Sequence, residues 1–148
     1  MGDSAPEIEL FDHAGGNRVR LDWLTAKATA ALPDCLRSVG SEEPMLPQLD
    51  KVEISLVDDE TIARVHGDFL NDPTATDVIT FHHGEVLISV DTAEREGPGH
   101  GNPVEEEVLL YLIHGLLHLN GHTDLDEPER EKMHEVQNAI HRNALTEH

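Results

Sequence analysis

The segment HGLLHLNGHTD, residues 114 to 124, places three histidines and an aspartate in a stretch that is otherwise mostly apolar. Imidazole and carboxylate are the usual ligands of a zinc ion when cysteine is scarce. On a helix each residue turns by about 100°, so His114 and His118 project roughly 40° apart, one turn apart in height. Both rings can therefore reach one ion. Gly121 lets the chain reverse directly after the helix, and Asp124, three positions later, can return to the same ion from the side. His122 competes for that third place. Two nitrogen ligands and one oxygen ligand leave the fourth corner of a tetrahedron to water, the arrangement of catalytic zinc. A histidine on an apolar helix is most often a hydrogen-bonded core residue. Two unpaired imidazoles among leucines, however, would each cost about 1–3 kcal/mol in lost hydrogen bonds. The spacing predicts one Zn2+ per chain on His114, His118 and Asp124.

The same offsets occur in metzincin proteases, where a glutamate after the first histidine is the general base. Here Gly115 stands at that position. A small zinc metalloprotease would lack the group that takes the proton from water, so this reading ranks low.

The elements that must position these residues follow from periodicity. EIELFD at 7–12 alternates as a short strand, and Leu21 to about Ser38 reads as a helix that Pro33 kinks or splits. Residues 40–50 have breaker residues and form a loop; KVEISLV at 51–57 alternates strictly as a strand. Asp58 offers an N-cap for a helix through Ile62, Val65 and Phe69. NDPTAT is a loop, DVITF a strand, and EVLISV a further strand after a His-His-Gly turn. Asn102, Pro103 and Glu105 combine an N-cap, a first-position proline and a capping-box acid. The helix they open contains VLLYLIHGLLHL at 108–119, apolar nearly all round, as suits the middle of a fold. A last helix from about Asp126 presents Met133, Val136 and Ile140 on one face. The class this implies is α+β: mixed α/β layers, a small mixed sheet of about four strands flanked by helices, with the metal site on a central buried helix.

Composition bounds the rest. A chain of 148 residues with 38% apolar content supports one core, hence one domain over 1–148. With three Phe, one Trp and one Tyr, that core must be aliphatic. No uncharged apolar run approaches the length of a membrane span, and MGDSAPEIEL has no export signal, so a soluble, cytoplasmic protein is expected. Cys35 is the single cysteine, which excludes an internal disulfide. Ten basic against 30 acidic residues give a net charge of −20, which opposes free association with polyanions. A solvated acidic surface or adaptation to high salt would each produce it.

The HGLLHLNG element, together with Thr76-Asp77-Val78-Ile79-Thr80-Phe81 and Gly84-Glu85-Val86-Leu87-Ile88-Ser89, resembles the YbeY family of bacterial zinc-dependent endoribonucleases. The matching order runs from about Val52 to Ala139. The resemblance implies a mixed sheet flanked by helices, a metal held by residues matching His114, His118 and the position ten after the first His, and single-stranded RNA as substrate. It also implies a place in ribosomal RNA maturation and ribosome quality control. Catalysis would run through the water on that metal; no general base is identified beyond His122 as a candidate. Two departures stand out. The family usually has a third His at that last position, whereas this chain has Asp124, whose charge makes a bound water less acidic. The common Tyr-Arg pair before Thr-Asp-Val aligns with Phe69-Leu70, so an Arg expected to face phosphate is absent. The acidity and Leu70 favour an alternative: a ribosome-associated factor whose metal mainly braces the fold. The acidic surface also points to a ribosomal protein of the small subunit as the arranger of any RNA encounter.

Among the other residues, Asp77 is either an acceptor for a ligating imidazole or a strand-start hydrogen bond. Thr76 and Thr80 read as sheet residues; His82 and His83, before Gly84, either line the same cleft or form a solvated turn, and the turn is favoured. His100, His134, His141 and His148 read as surface residues, and Glu105, Glu106 and Glu107 as first-turn acids without chemistry.

Overall fold

The computed structural model describes residues 5–146. Four strands, β1 (Glu7–Asp12), β2 (Lys51–Val57), β3 (Val78–Phe81) and β4 (Glu85–Ser89), form one sheet in the order β1-β2-β4-β3. β1, β2 and β4 run parallel, with Glu7 opposite Lys51 and Glu53 opposite Glu85. β3 is antiparallel to β4, Val78 opposite Ile88. Parallel neighbours need helical crossovers; α1 (Leu21–Arg37) and α2 (Asp59–Leu70) supply them. Three more helices follow: α3 (Val90–Glu96), α4 (Val104–Leu119) and α5 (Glu127–Thr146). The expected α+β architecture, with a small mixed four-stranded sheet, is what forms.

Alternation along the strands divides the apolar side chains between two faces. Ile54, Leu56, Val86 and Ile88 join the main core with α1, α4 and α5, whereas Val57, Ile79 and Leu87 meet Ile62 and Val65 of α2 on the other side. α4 lies at the centre of the main core, packed on β3, β4, α1 and α5. Val108, Leu109, Leu112, Ile113, Leu116 and Leu117 have no exposed surface. Its close seat on the sheet depends on Gly115, where an added Cβ would meet Val86 Cγ1 at 3.1 Å and Thr80 Oγ1 at 3.3 Å.

Several expected boundaries move. α1 continues through Pro33 as one helix. Asp58 caps α2 as expected, accepting from the Thr61 amide at 2.8 Å, but Asn102 does not cap α4. The preceding position is Pro103, with no side-chain cap, and Asn102 Nδ2 donates instead to Glu107 Oε1 at 2.9 Å. α3 has no counterpart in the sequence reading. Ser89 ends β4 and caps α3 through Oγ, so the apolar run EVLISV turns helical at Val90. Among the described residues, no helix is long and apolar enough to cross a membrane.

Cys35 is fully buried in the core, and that burial pushes its thiol up to about 12. Ellman's reagent is expected to leave the folded protein unlabelled and to react only as the chain unfolds. Rapid stoichiometric labelling under native conditions would contradict that packing.

Candidate metal centre

Apart from Glu105 and Glu106 at its start, α4 carries its polar side chains on one stripe: Glu107, Tyr111, His114 and His118 follow at steps of four, three and four. His114 and His118 are the half-buried members. His114 Nδ1 donates to Gln137 Oε1 of α5 at 2.8 Å, and His118 Nδ1 donates to the His122 carbonyl at 3.1 Å. In each ring Nδ1 thus carries a proton, so the lone pair of the neutral form sits on Nε2. Burial, and next the neighbouring His114, hold His118 below its ordinary value of 6.5, against smaller opposing effects of the His122 carbonyl and Asp124. The ring is therefore neutral at neutral pH, which is the form that ligates metals.

The chain after α4 is pinned tightly. Gly121 has φ +97°, and a Cβ there would fall 2.3 Å from the Glu42 carbonyl oxygen. The loop at 40–45 clamps this turn through Gly40 N to Asn120 O (3.1 Å), Glu42 N to Gly121 O (3.0 Å) and Met45 N to Leu119 O (2.8 Å). Asn120, fully buried, donates through Nδ2 to the Cys35 and Ser38 carbonyls, both at 2.9 Å. The end of α1 is thereby fastened to the end of α4.

This turn carries His122 away from the paired rings. Its Nε2 lies 3.0 Å from Ser38 Oγ and 3.1 Å from the Ser38 carbonyl, and it lines a separate cavity of about 140 Å³ with Glu129 and Lys132. Asp124 is exposed; its charge acts on His118. Among the described residues, no three His, Cys, Asp or Glu side chains are gathered closely enough to hold an ion. His82, read from the sequence as a solvated turn, is exposed, but its ring stands edge-on to His118 with centroids 6.3 Å apart. That is the less favoured of the two readings made of His82, and it is decided by how β3 lies across α4.

Asp77 takes its local option: Oδ1 accepts from the Val78 amide at 2.8 Å and the Thr76 hydroxyl at 3.4 Å. Leu70, where the family's arginine was expected, is 55% exposed at the end of α2. Of the remaining histidines read as surface residues, His141 needs correction, whereas His100 is exposed while it binds Glu107. His141 is buried, with Nε2 donating to the Glu106 carbonyl at 2.7 Å, and His100 Nδ1 lies 2.8 Å from Glu107 Oε2. Glu107 is not a solvated first-turn acid, since it is fully buried and receives both His100 and Asn102. His134 is exposed, and His148 lies outside the described residues.

The mixed sheet and the central helix bearing two oriented imidazoles define an α+β protein built to present paired nitrogen donors. The family model described as endoribonuclease YbeY matches residues 18–144. A Heliobacterium modesticaldum protein named endoribonuclease YbeY is 33% identical over 132 residues, 74% of this chain and 76% of that one. A Protochlamydia amoebophila protein of the same name is 40% identical over 89 residues, 53% of this chain and 59% of its own. The chain belongs to the YbeY endoribonuclease family. A Thermotoga maritima protein solved in solution shares the fold, with TM-score 0.58 at 20% identity over 93% of this chain and 88% of that one.

The tautomers can be read directly. Long-range 15N–1H NMR on the metal-free protein is expected to show protonated Nδ1 and bare Nε2 on both His114 and His118, with His118 titrating below 6.5. Gln137→Leu should release His114 into a tautomer mixture and leave His118 unchanged. A bare Nδ1 on either ring in the parent protein would contradict the assigned hydrogen bonds.

Proposed function

We propose that this protein is a metal-dependent endoribonuclease that cuts single-stranded RNA during ribosomal RNA maturation and ribosome quality control in the cytoplasm. His114, His118 and Asp124 would hold one Zn2+. The observation that carries this reading is the pair of oriented rings: two imidazoles one helical turn apart, each with Nδ1 committed to an oxygen acceptor and Nε2 left free. That donor set suits zinc. When bound, the metal supplies a Lewis acid that polarises the phosphodiester and activates the attacking oxygen.

The remaining work belongs to the chain. Gln137 and the His122 carbonyl hold the two rings in the ligating tautomer before any ion arrives, so less rotational freedom is lost on binding. Asp124 would contribute a third, anionic donor from the exposed turn three residues beyond the clamped Gly121. Ser38 engages His122, leaving Asp124 as the favoured oxygen donor. Gly115, at the place where a metalloprotease keeps its glutamate, has Val86 and Thr80 against it, so a long acidic side chain there would collide with the sheet. A ribosomal protein of the small subunit would bring the strand to this acidic chain, whose net charge is −20.

The separation of Asp124 from the paired histidines favours a second reading, in which the metal mainly braces the fold and cutting is weak. Cleavage of a labelled single-stranded RNA, measured with and without chelator, separates the two. His114→Ala and His118→Ala are expected to lose about a hundredfold or more, since even residues that only orient ligands cost about 10–100-fold. Asp124→Ala should lose activity while its melting temperature stays near that of the parent. A large fall in melting temperature with intact cleavage per folded molecule would favour the bracing role, and equal cleavage in every sample would point to a contaminating nuclease.

A further inference from the structure

A cleft of about 570 Å³ opens between α4 and α5 beside His114. Its floor is formed by Tyr111 and His114 of α4 with Gln137 and His141 of α5, and its rim by His134, Asn138 and Arg142. The three rim residues are spaced by four, so they stand in a row on one face of α5, about 6 Å apart along the axis. The row offers an imidazole, an amide and a guanidinium, each able to donate hydrogen bonds outward. His100 lines the opposite side, its Nδ1 held by Glu107 and its ring half-exposed. Four of the chain's eleven histidines therefore border this one cleft.

The charge pattern is unusual for so acidic a chain. Arg18, Arg20, Arg37, Lys51 and Arg95 are each occupied by carboxylates. Arg142 makes no ion pair with any described residue, as is also true of Arg64, Arg130 and Lys132; of these four it alone lines the cleft. One carboxylate lines the cleft, Asp77, engaged with the Val78 amide; Glu107 is buried behind His100 and Asn102, and Glu131 and Glu135 are exposed on α5 beside His134. A row of outward donors ending in a guanidinium with no ion pair among the described residues, continuous with a nitrogen donor of the candidate metal centre, suits the repeated oxyanions of a sugar-phosphate chain.

We propose that the α4–α5 cleft is a subsite for the backbone of the substrate strand next to the scissile bond, with Arg142 as its phosphate anchor and His134 and Asn138 as adjoining contacts. The proposal rests on the endoribonuclease reading above. It places the strand along α5, so that binding leads away from His114 rather than toward Leu70. The arginine missing at position 70 is then compensated on a different helix.

The test measures binding of a fluorescent single-stranded 2′-O-methyl oligoribonucleotide to the metal-loaded protein over a series of salt concentrations, with cleavage of the corresponding RNA assayed in parallel. Arg142→Gln is expected to weaken binding about tenfold and to lower the salt slope by about one, as loss of one phosphate contact does. Arg142→Lys should keep the slope with part of the affinity lost. Arg130→Gln, an exposed charge on the same helix outside the cleft, should change neither. In cleavage the Arg142→Gln loss should fall on KM with kcat retained. Equal effects of the Arg142 and Arg130 changes, or no effect of either, would overturn the subsite. Parent protein that binds in this Arg142-dependent way but never cuts would sink the endoribonuclease reading and leave the subsite standing.

Discussion

A helix that is apolar on nearly every side has one place to go, and the rest of this molecule is arranged around sending α4 there. Burying six aliphatic side chains of 108–117 completely supplies a large share of the driving force for the core, at roughly 1.5–3 kcal/mol for each large one. The same burial restricts polar groups to a single stripe that opens on the cleft. Along it, every polar group needs a partner, and each has one: Glu107 receives His100 and Asn102, His114 meets Gln137, and His118 meets the His122 carbonyl. The rings are thus oriented by the need to satisfy buried polar atoms, and that orientation is also what a metal ligand requires.

Much of this was legible in the sequence wherever the determining contacts are local. β1 and β2 follow from alternation, the start of α2 from Asp58, and the turn after α4 from Gly121. What was hidden depends on partners far along the chain. Asn102 has every local mark of a helix cap, yet it turns to Glu107, because the 97–100 turn brings His100 over the same carboxylate. A glutamate in a first turn is ordinarily solvated, and nothing within a few residues of Glu107 announces full burial. α3 was obscured for a related reason: Val90 extends the apolar run of β4, and only Ser89 signals that the chain changes period there.

In the candidate site the division falls at the helix end. Spacing of four places His114 and His118 on one face as long as the helix lasts, and it lasts to Leu119. Beyond that point spacing loses its meaning. His122 is four from His118, yet the reversal at Gly121 and the clamp to 40–45 carry its ring to Ser38. The neighbours of the paired rings come instead from other elements: Gln137 from α5, twenty-three residues from His114, and His82 from the β3–β4 turn.

Net charge is a poor guide to what such a cleft will accept. The −20 total is spread over a surface of 7863 Å², and at physiological ionic strength charges separated by more than about 8 Å are largely screened from one another. A phosphate resting between α4 and α5 therefore responds mainly to the groups that border it. Those groups include one arginine and four imidazoles against one lining carboxylate, Asp77. The distant acids still act on long-range encounter, where they slow the approach of a free polyanion. Local acceptance and poor unaided encounter are thus compatible in one chain.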